Sequence, residues 1–107
     1  GIQNMLNAIQ AGILTSSTKE RLEQLGDTPV YFTLDLDVLD PSVFPGTGTP
    51  EPGGVSFEEL RKAVTLVCQK ANVVACDVNE LSPPYDQSGV STMVACKIVR
   101  EMLLALN

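Results

Sequence analysis

The chain has 107 residues, of which 44% are hydrophobic and 19% charged, which is the composition of a globular protein. It suits one small domain or a part of one, and no apolar run reaches the roughly 20 residues that a membrane helix needs. The N-terminus lacks a secretory signal pattern, so a cytoplasmic protein without membrane contact is predicted. A net charge of −6 with scattered basic residues opposes phosphate backbones, which argues against nucleic acid as a partner.

The first predicted elements are a short helix and a strand. The segment TKERLEQLG has helical character, with Ser16 or Ser17 as its cap and Gly26 as its stop. The β-branched and aromatic residues of VYFTL then predict a buried strand that ends near Asp35 and Asp37.

A loop and a clearly marked helix follow. Residues 41–54 contain four Pro and four Gly, a composition typical of an irregular loop. Ser56 and Glu59 have the spacing of a capping box, and Val55 and Leu60 that of a hydrophobic staple. A helix over residues 57–71 is predicted, with one apolar face that should pack on a sheet.

The last elements complete an α/β pattern. Residues 73–78 form an apolar run typical of a strand covered on both faces. A helical stripe at positions 90, 94, 98, 102 and 105 ends the chain. Strand, helix, strand and helix in this order predict an α/β fold, a parallel sheet with flanking helices and a right-handed crossover.

The three cysteines form no C-x-x-C pair and stand among apolar residues. Cys68, Cys76 and Cys96 are therefore expected to be buried, reduced thiols rather than parts of a disulfide or zinc framework.

Acidic residues follow both predicted strands, where open parallel sheets have their ligand sites. Asp35 and Asp37 come after the first strand and point the same way if the chain is extended there, while Glu80 follows the second strand. Two adjacent carboxylates repel unless a proton, a basic group or a divalent metal lies between them. No basic residue lies close in sequence, so we favour the hypothesis that the two aspartates bind a hard cation such as Mg²⁺, Ca²⁺ or Mn²⁺. The alternative is that they are ordinary solvated charges of a loop.

Other polar features in these loops have structural interpretations. Asp40 precedes Pro41 and is interpreted as a turn residue. The GTGTP segment lacks the Lys and the following helix of a phosphate-binding loop. Pro83 and Pro84 stiffen the turn that aims Glu80.

Two ordered motifs resemble those of the ureohydrolase family, which includes arginases and agmatinases. TLDLDVLDPSVFPGTGTPEPGG is similar to the family pattern S-x-D-x-D-x-x-D-P followed by P-G-T-G-T-P and paired glycines, and ACDVNELSPPYD is similar to D-x-x-E-x-x-P. Residues 30–106 match well and residues 1–29 weakly. The resemblance implies that residues 1–107 are the C-terminal part of a three-layer α/β/α domain.

The resemblance also implies a chemistry. Asp35 would bridge two Mn²⁺ ions and Asp37 would bind one of them, Glu80 would pair with the guanidinium group of the substrate, and Thr49 would line the substrate pocket. The P-G-T-G-T-P-E-P-G-G loop is most like that of agmatinases, so agmatine is the expected substrate, hydrolysed to putrescine and urea, and guanidinobutyrate the next. A homo-oligomer is expected for the complete enzyme.

One departure from the family is large, because the chain contains no histidine. The upstream motifs that supply histidine and further aspartate ligands are missing, so a fragment that needs an N-terminal half and is inactive alone is expected. Two other hypotheses stay open: a non-catalytic scaffold of the same fold, and a haloacid-dehalogenase-like phosphatase, whose D-x-D motif should continue with Gly-Thr where this chain has Val38 and Leu39.

Overall fold

A computed structural model describes residues 16–106, with side chains from residue 19 onward. Three helices and two strands alternate in the predicted order: α1 (Ser16–Leu25), β1 (Pro29–Asp35), α2 (Phe57–Lys70), β2 (Asn72–Asn79) and α3 (Val90–Ala105). Two short 3-10 helices, Leu36–Val38 and Pro83–Tyr85, follow the strands. The predicted cap of α1 lies outside the described side chains, whereas Gly26 does follow the helix, with a left-handed φ of 51°.

The two strands pair in parallel, which confirms the predicted α/β sheet. Pro29 lies opposite Asn72 at the start of the ladder and Asp35 lies opposite Asn79 at its end, with one irregularity between Val30 and Tyr31. Because parallel strands cannot be joined by a tight turn, α2 forms the connection between them. The carboxyl ends of both strands therefore lie at one edge of the sheet.

The hydrophobic core lies between one face of β1 and the helices. Side chains along β1 alternate between exposed and buried, so Phe32 and Leu34 are fully buried while Tyr31 and Thr33 face outward. Each helix contributes buried residues to the same core, which are Leu22 of α1, Leu60, Ala63, Val64, Val67 and Cys68 of α2, and Ala95, Ile98 and Met102 of α3. This burial confirms the predicted apolar face of α2.

The prediction that β2 is covered on both faces is wrong for the described part of the chain. Every residue of β2 is exposed or only partly buried, and Val74 is 63% exposed. An apolar run predicts that a strand is packed on both faces. It does not predict that the residues packing against it belong to the described part of the chain. None of the described elements packs on the face formed by Tyr31, Thr33 and Asp77.

The ends of α2 agree closely with the sequence pattern. The Ser56 hydroxyl accepts from the Glu59 amide at 3.1 Å, and the Glu59 carboxylate accepts from the Ser56 amide at 3.2 Å. Both members of the predicted hydrophobic staple, Val55 and Leu60, are buried. The capping box therefore satisfies two backbone donors that the first helical turn leaves without partners.

The final helix and the cysteines follow the predictions in part. Ile98 and Met102 of the α3 stripe are buried, whereas Val90 at its start is half exposed. Cys68 is buried, which raises the pKa of its thiol to about 11, but the prediction of burial is wrong for Cys76 and Cys96, which are exposed free thiols. Within residues 16–106, no helix is both long and apolar enough to cross a bilayer.

We expect Ser56→Ala to lower the free energy of unfolding by about 1 kcal/mol, because the Glu59 amide loses its hydrogen-bond partner. Urea unfolding followed by circular dichroism measures the change. The matched control is Lys62→Ala, an exposed position on the same helix that should change stability little. Equal midpoints for the wild type and Ser56→Ala would contradict this account of the helix start.

Candidate functional site

Two of the predicted site residues lie at the carboxyl ends of neighbouring strands. Asp35 is the last residue of β1, is exposed, and its carboxylate accepts no hydrogen bond from the described residues. Glu80 directly follows β2, whose last residue pairs with Asp35 in the ladder. Its φ of 78° lies in the left-handed region, which non-glycine residues rarely occupy and which often marks functional sites. The shared edge predicted for the two acids is confirmed.

Asp37 lies near this edge, but its position has a different structural cause from the predicted one. Extended structure ends at Asp35, and Leu36–Val38 form a 3-10 turn, so the alternation of a strand does not set the direction of Asp37. Instead, the Thr49 hydroxyl donates to Asp37 Oδ2 at 2.8 Å. The loop of residues 41–54 thus folds back so that Thr49 contacts the second aspartate of the D-x-D pair.

Asp40 holds both ends of that loop. Its Oδ1 accepts from the amides of Gly53 at 2.9 Å and Gly54 at 3.2 Å, and its Oδ2 accepts from the amide of Ser42 at 3.0 Å and from the Ser42 hydroxyl. These donors, with Ser42 first, lower the pKa of Asp40 to about 2. The interpretation of Asp40 as a turn residue is confirmed, and its contact with Gly53 extends that role across the whole loop.

The second of the paired glycines is required by a close backbone approach. A side chain at Gly54 would lie 2.5 Å from the Asp40 nitrogen and 2.6 Å from the Val38 oxygen. The tight contact lets Val55 donate to the Val38 carbonyl at 2.9 Å and accept from the Asp40 amide at 3.0 Å. A cavity of about 170 Å³ remains beside Asp37, lined also by Val38, Glu51, Pro52 and the two glycines.

The donor set fits a hard divalent cation only in part. Carboxylate oxygens are the ligands that Mn²⁺, Mg²⁺ and Ca²⁺ prefer, and both Asp35 and one oxygen of Asp37 are left open. However, residues 16–106 contain no group of three or more His, Cys, Asp or Glu side chains arranged to hold a metal. The described residues can therefore contribute ligands to a metal centre but do not complete one.

A polar cluster beside Asp35 was missed by the sequence reasoning. On the outward face of the sheet, Tyr31 and Thr33 of β1 and Asn79 of β2 all donate to the carboxylate of Asp77. The Tyr31 hydrogen bond is the largest cause that lowers the pKa of Asp77, and the same bond raises the pKa of Tyr31. The alternation of Tyr31 and Thr33 along β1 is the signal that could have identified a polar face.

Comparison with known proteins decides the family. The sequence model of the arginase family matches residues 3–105. The chain belongs to the arginase family. This arginase-family chain is 47% identical over 87 residues to the agmatinase of Halalkalibacterium halodurans, a match that covers 80% of the chain and 30% of the agmatinase. It is 44% identical over 84 residues to the mitochondrial guanidino acid hydrolase of Homo sapiens, covering 78% of the chain and 24% of that protein.

The fold is shared with solved members of the family. The proclavaminate amidino hydrolase of Streptomyces clavuligerus superimposes with a TM-score of 0.75 at 37% identity, over 82% of the chain and 29% of that structure. The predicted resemblance and the arginase-like α/β fold are thus confirmed. The chain spans less than a third of the length of these relatives.

We expect Asp40→Asn to reduce stability at neutral pH and to make stability less dependent on pH in the acid range. The folded-state pKa of Asp40 is about 2 against an ordinary 3.8, so its contribution is complete above pH 4 and is lost as the pH falls through 2. Urea unfolding at pH 7, 5, 4, 3 and 2 measures the difference between the wild type and the variant. That difference should shrink between pH 4 and 2.

The matched control for this experiment is Asp27→Asn, which changes an exposed aspartate whose carboxylate accepts no hydrogen bond from the described residues. A difference between wild type and Asp40→Asn that stays constant from pH 7 to pH 2 would show that Asp40 does not act through its charge.

Proposed function

We propose that the chain forms part of the active site of a manganese-dependent enzyme that hydrolyses a guanidino compound, with agmatine as the preferred substrate. The observation that carries the proposal is the placement of Asp35, Asp37 and Glu80 at one edge of the sheet, with Thr49 contacting Asp37. Membership of the arginase family supports this chemistry. The names of the relatives support a guanidino or amidino substrate class.

Asp35 and Asp37 would hold the metal. The carboxylate of Asp35 has both oxygens open and suits a bridging role, whereas Asp37 has one oxygen occupied by the Thr49 hydroxyl and one left for a ligand. When bound, the Mn²⁺ ions lower the pKa of a water molecule and so supply a nucleophile near neutral pH. Further ligands must come from residues outside those the structure describes, because 16–106 hold no group of three.

Glu80 would bind the guanidinium group. A carboxylate can accept two parallel charge-assisted hydrogen bonds from a planar guanidinium, which fixes both its position and its orientation. Glu80 has a left-handed backbone conformation with a φ of 78°, and residues held in such rarely populated conformations cluster at ligand-binding sites, which supports this role. Thr49 would then contribute to the pocket wall through the same hydroxyl that contacts Asp37.

A hybrid enzyme tests this proposal directly. The 87-residue segment of the H. halodurans agmatinase that matches this chain is replaced by the corresponding residues of the chain. With Mn²⁺ present, the hybrid should release urea from agmatine, and a variant with Glu80→Gln should have a kcat/KM roughly 100-fold lower, because a charged partner of the substrate is lost. The 107-residue chain alone should release none.

The two other hypotheses predict different results for the same hybrid. A folded hybrid that binds Mn²⁺ but releases no urea from agmatine or guanidinobutyrate would favour the non-catalytic scaffold. Membership of the arginase family speaks against the phosphatase, which would have to release inorganic phosphate from a phosphate ester.

Within the hybrid, Asp35→Asn should remove bound manganese as well as activity, since the amide lacks the negative charge that a ligand shared by two cations requires. Metal content after gel filtration measures the loss independently of turnover. Asp27→Asn, which changes an aspartate two residues before the start of β1, should keep the metal. Full manganese stoichiometry in Asp35→Asn would show that Asp35 is not the bridging ligand.

A further inference from the structure

Gly46 joins the two loops that carry Thr49 and Glu80, a first loop of residues 41–54 and a second loop of residues 80–89. Its amide donates to the Ser91 hydroxyl at 2.9 Å, and its carbonyl accepts from the Ser82 amide at 2.7 Å. Gly46 is buried, and both its amide and its carbonyl are thus hydrogen-bonded to residues that follow β2. Thr49 lies three residues after Gly46, and Glu80 lies two residues before Ser82.

The contact leaves no room for a side chain. A Cβ atom at Gly46 would lie 2.7 Å from the Ser91 Cβ and 2.8 Å from its Oγ, and 3.1 Å from the Asp86 Cβ. The first loop therefore meets α3 and the second loop through its backbone. Such a junction has little freedom, because the first loop contributes only backbone atoms and the one side chain in the contact, Ser91, is short and buried.

Ser91 is the centre of this junction. It lies in the first turn of α3, is fully buried, and its hydroxyl accepts from Gly46 while donating to Asp86 Oδ2 at 2.5 Å. A serine hydroxyl has one proton to donate, so the bond to Asp86 fixes its orientation and turns a lone pair toward the Gly46 amide.

Asp86 in turn organises the start of α3. Its Oδ2 also accepts from the Ser91 amide at 2.8 Å, and its Oδ1 accepts from the amide of Ser88 at 3.1 Å. Hydrogen bonds from Ser88 and Ser91 lower the pKa of Asp86 to about 2. Because the N-cap residue of α3 is Gly89, which has no side chain to cap the helix, Asp86 supplies the negative group that a helix N-terminus favours.

From these contacts we infer that Ser91 and Asp86 are positioning residues, which hold the first loop, whose Thr49 contacts Asp37, in a fixed position relative to the second loop, which begins at Glu80. The inference rests on the proposed function, since it concerns the distance between the metal ligands and the guanidinium-binding carboxylate. Neither residue is required to touch the metal or the substrate. Their effect on turnover follows because a misplacement of about 1 Å between reacting groups can cost about 100-fold in rate.

Amide hydrogen exchange in the 107-residue chain tests the coupling without metal or substrate. In Ser91→Ala, the Gly46 amide should exchange at least roughly tenfold faster, since its partner is gone. The Ser82 amide should also exchange faster, although its own partner, the Gly46 carbonyl, is unchanged. Acceleration at Ser82 while the amides of α2 stay protected is the result that distinguishes a coupled junction from a general loss of stability.

Two further variants make this experiment decisive. Ser88→Ala removes an exposed donor to Asp86 that does not touch Gly46, so exchange at Gly46 and Ser82 should not change. Asp86→Asn keeps the shape of the side chain and should give an intermediate acceleration. Amides in the middle of α2 report global unfolding and must stay protected. An unchanged Ser82 amide in both Ser91→Ala and Asp86→Asn, with α2 protected, overturns the inference.

Kinetics of the hybrid enzyme then connect the junction to turnover. Ser91→Ala should lower kcat for agmatine about tenfold while manganese content and KM stay within twofold, because Glu80 still binds the guanidinium but no longer aligns it with the metal ligands. Ser88→Ala should leave kcat unchanged. An unaltered kcat in Ser91→Ala refutes a positioning role. If the unmodified hybrid itself is inactive, the proposed function fails, whereas the exchange result still reports on the junction.

Discussion

The parallel pairing of β1 and β2 is the constraint on which the candidate site depends. It places Asp35 opposite Asn79, so that whatever follows either strand lies at the same edge of the sheet. An antiparallel arrangement would send Glu80 to the far end, where no aspartate pair is available. Because α2 forms the crossover, the long loop of residues 41–54 lies before the helix and stays at the edge where β1 ended.

The acidic residues near this edge fall into two groups by their hydrogen bonds. Asp40 and Asp86 accept several donors from backbone and side chains, which lowers the pKa of each to about 2 and commits them to holding loops. Asp35 and Glu80 accept no hydrogen bond within the described residues, and Asp37 accepts one. Carboxylates that the protein leaves open are the ones able to bind a cation or a guanidinium, so the hydrogen-bond pattern separates scaffold acids from candidate ligands.

Local patterns in the sequence predicted much of this arrangement. The capping box of Ser56 and Glu59, the turn at Asp40 and the order of strands and helices depend on neighbouring residues and were correct. The predicted burial of β2 was wrong, because burial depends on the residues that pack against a strand and not on the strand's own sequence. The predicted direction of Asp37 depended on the alternation of side chains along an extended strand. Extended structure ends at Asp35, two residues before Asp37, so that alternation does not apply. The junction at Gly46 joins residues 45 positions apart, and no spacing rule connects Gly46 to Ser91.

The closure of the loop by Asp40 has a consequence for which residues of the loop tolerate substitution. The two ends of residues 41–54 are joined by the Asp40 carboxylate and by the hydrogen bonds between Val55 and the segment from Val38 to Asp40. Between these anchor points, Phe44 is buried, Gly46 contacts Ser91 and Thr49 contacts Asp37. The exposed residues 50–52 make none of these contacts, so they can change without moving β1 or α2. Substitutions at residues 50–52 can therefore reshape the cavity beside Asp37, which Glu51 and Pro52 line, on an unaltered scaffold.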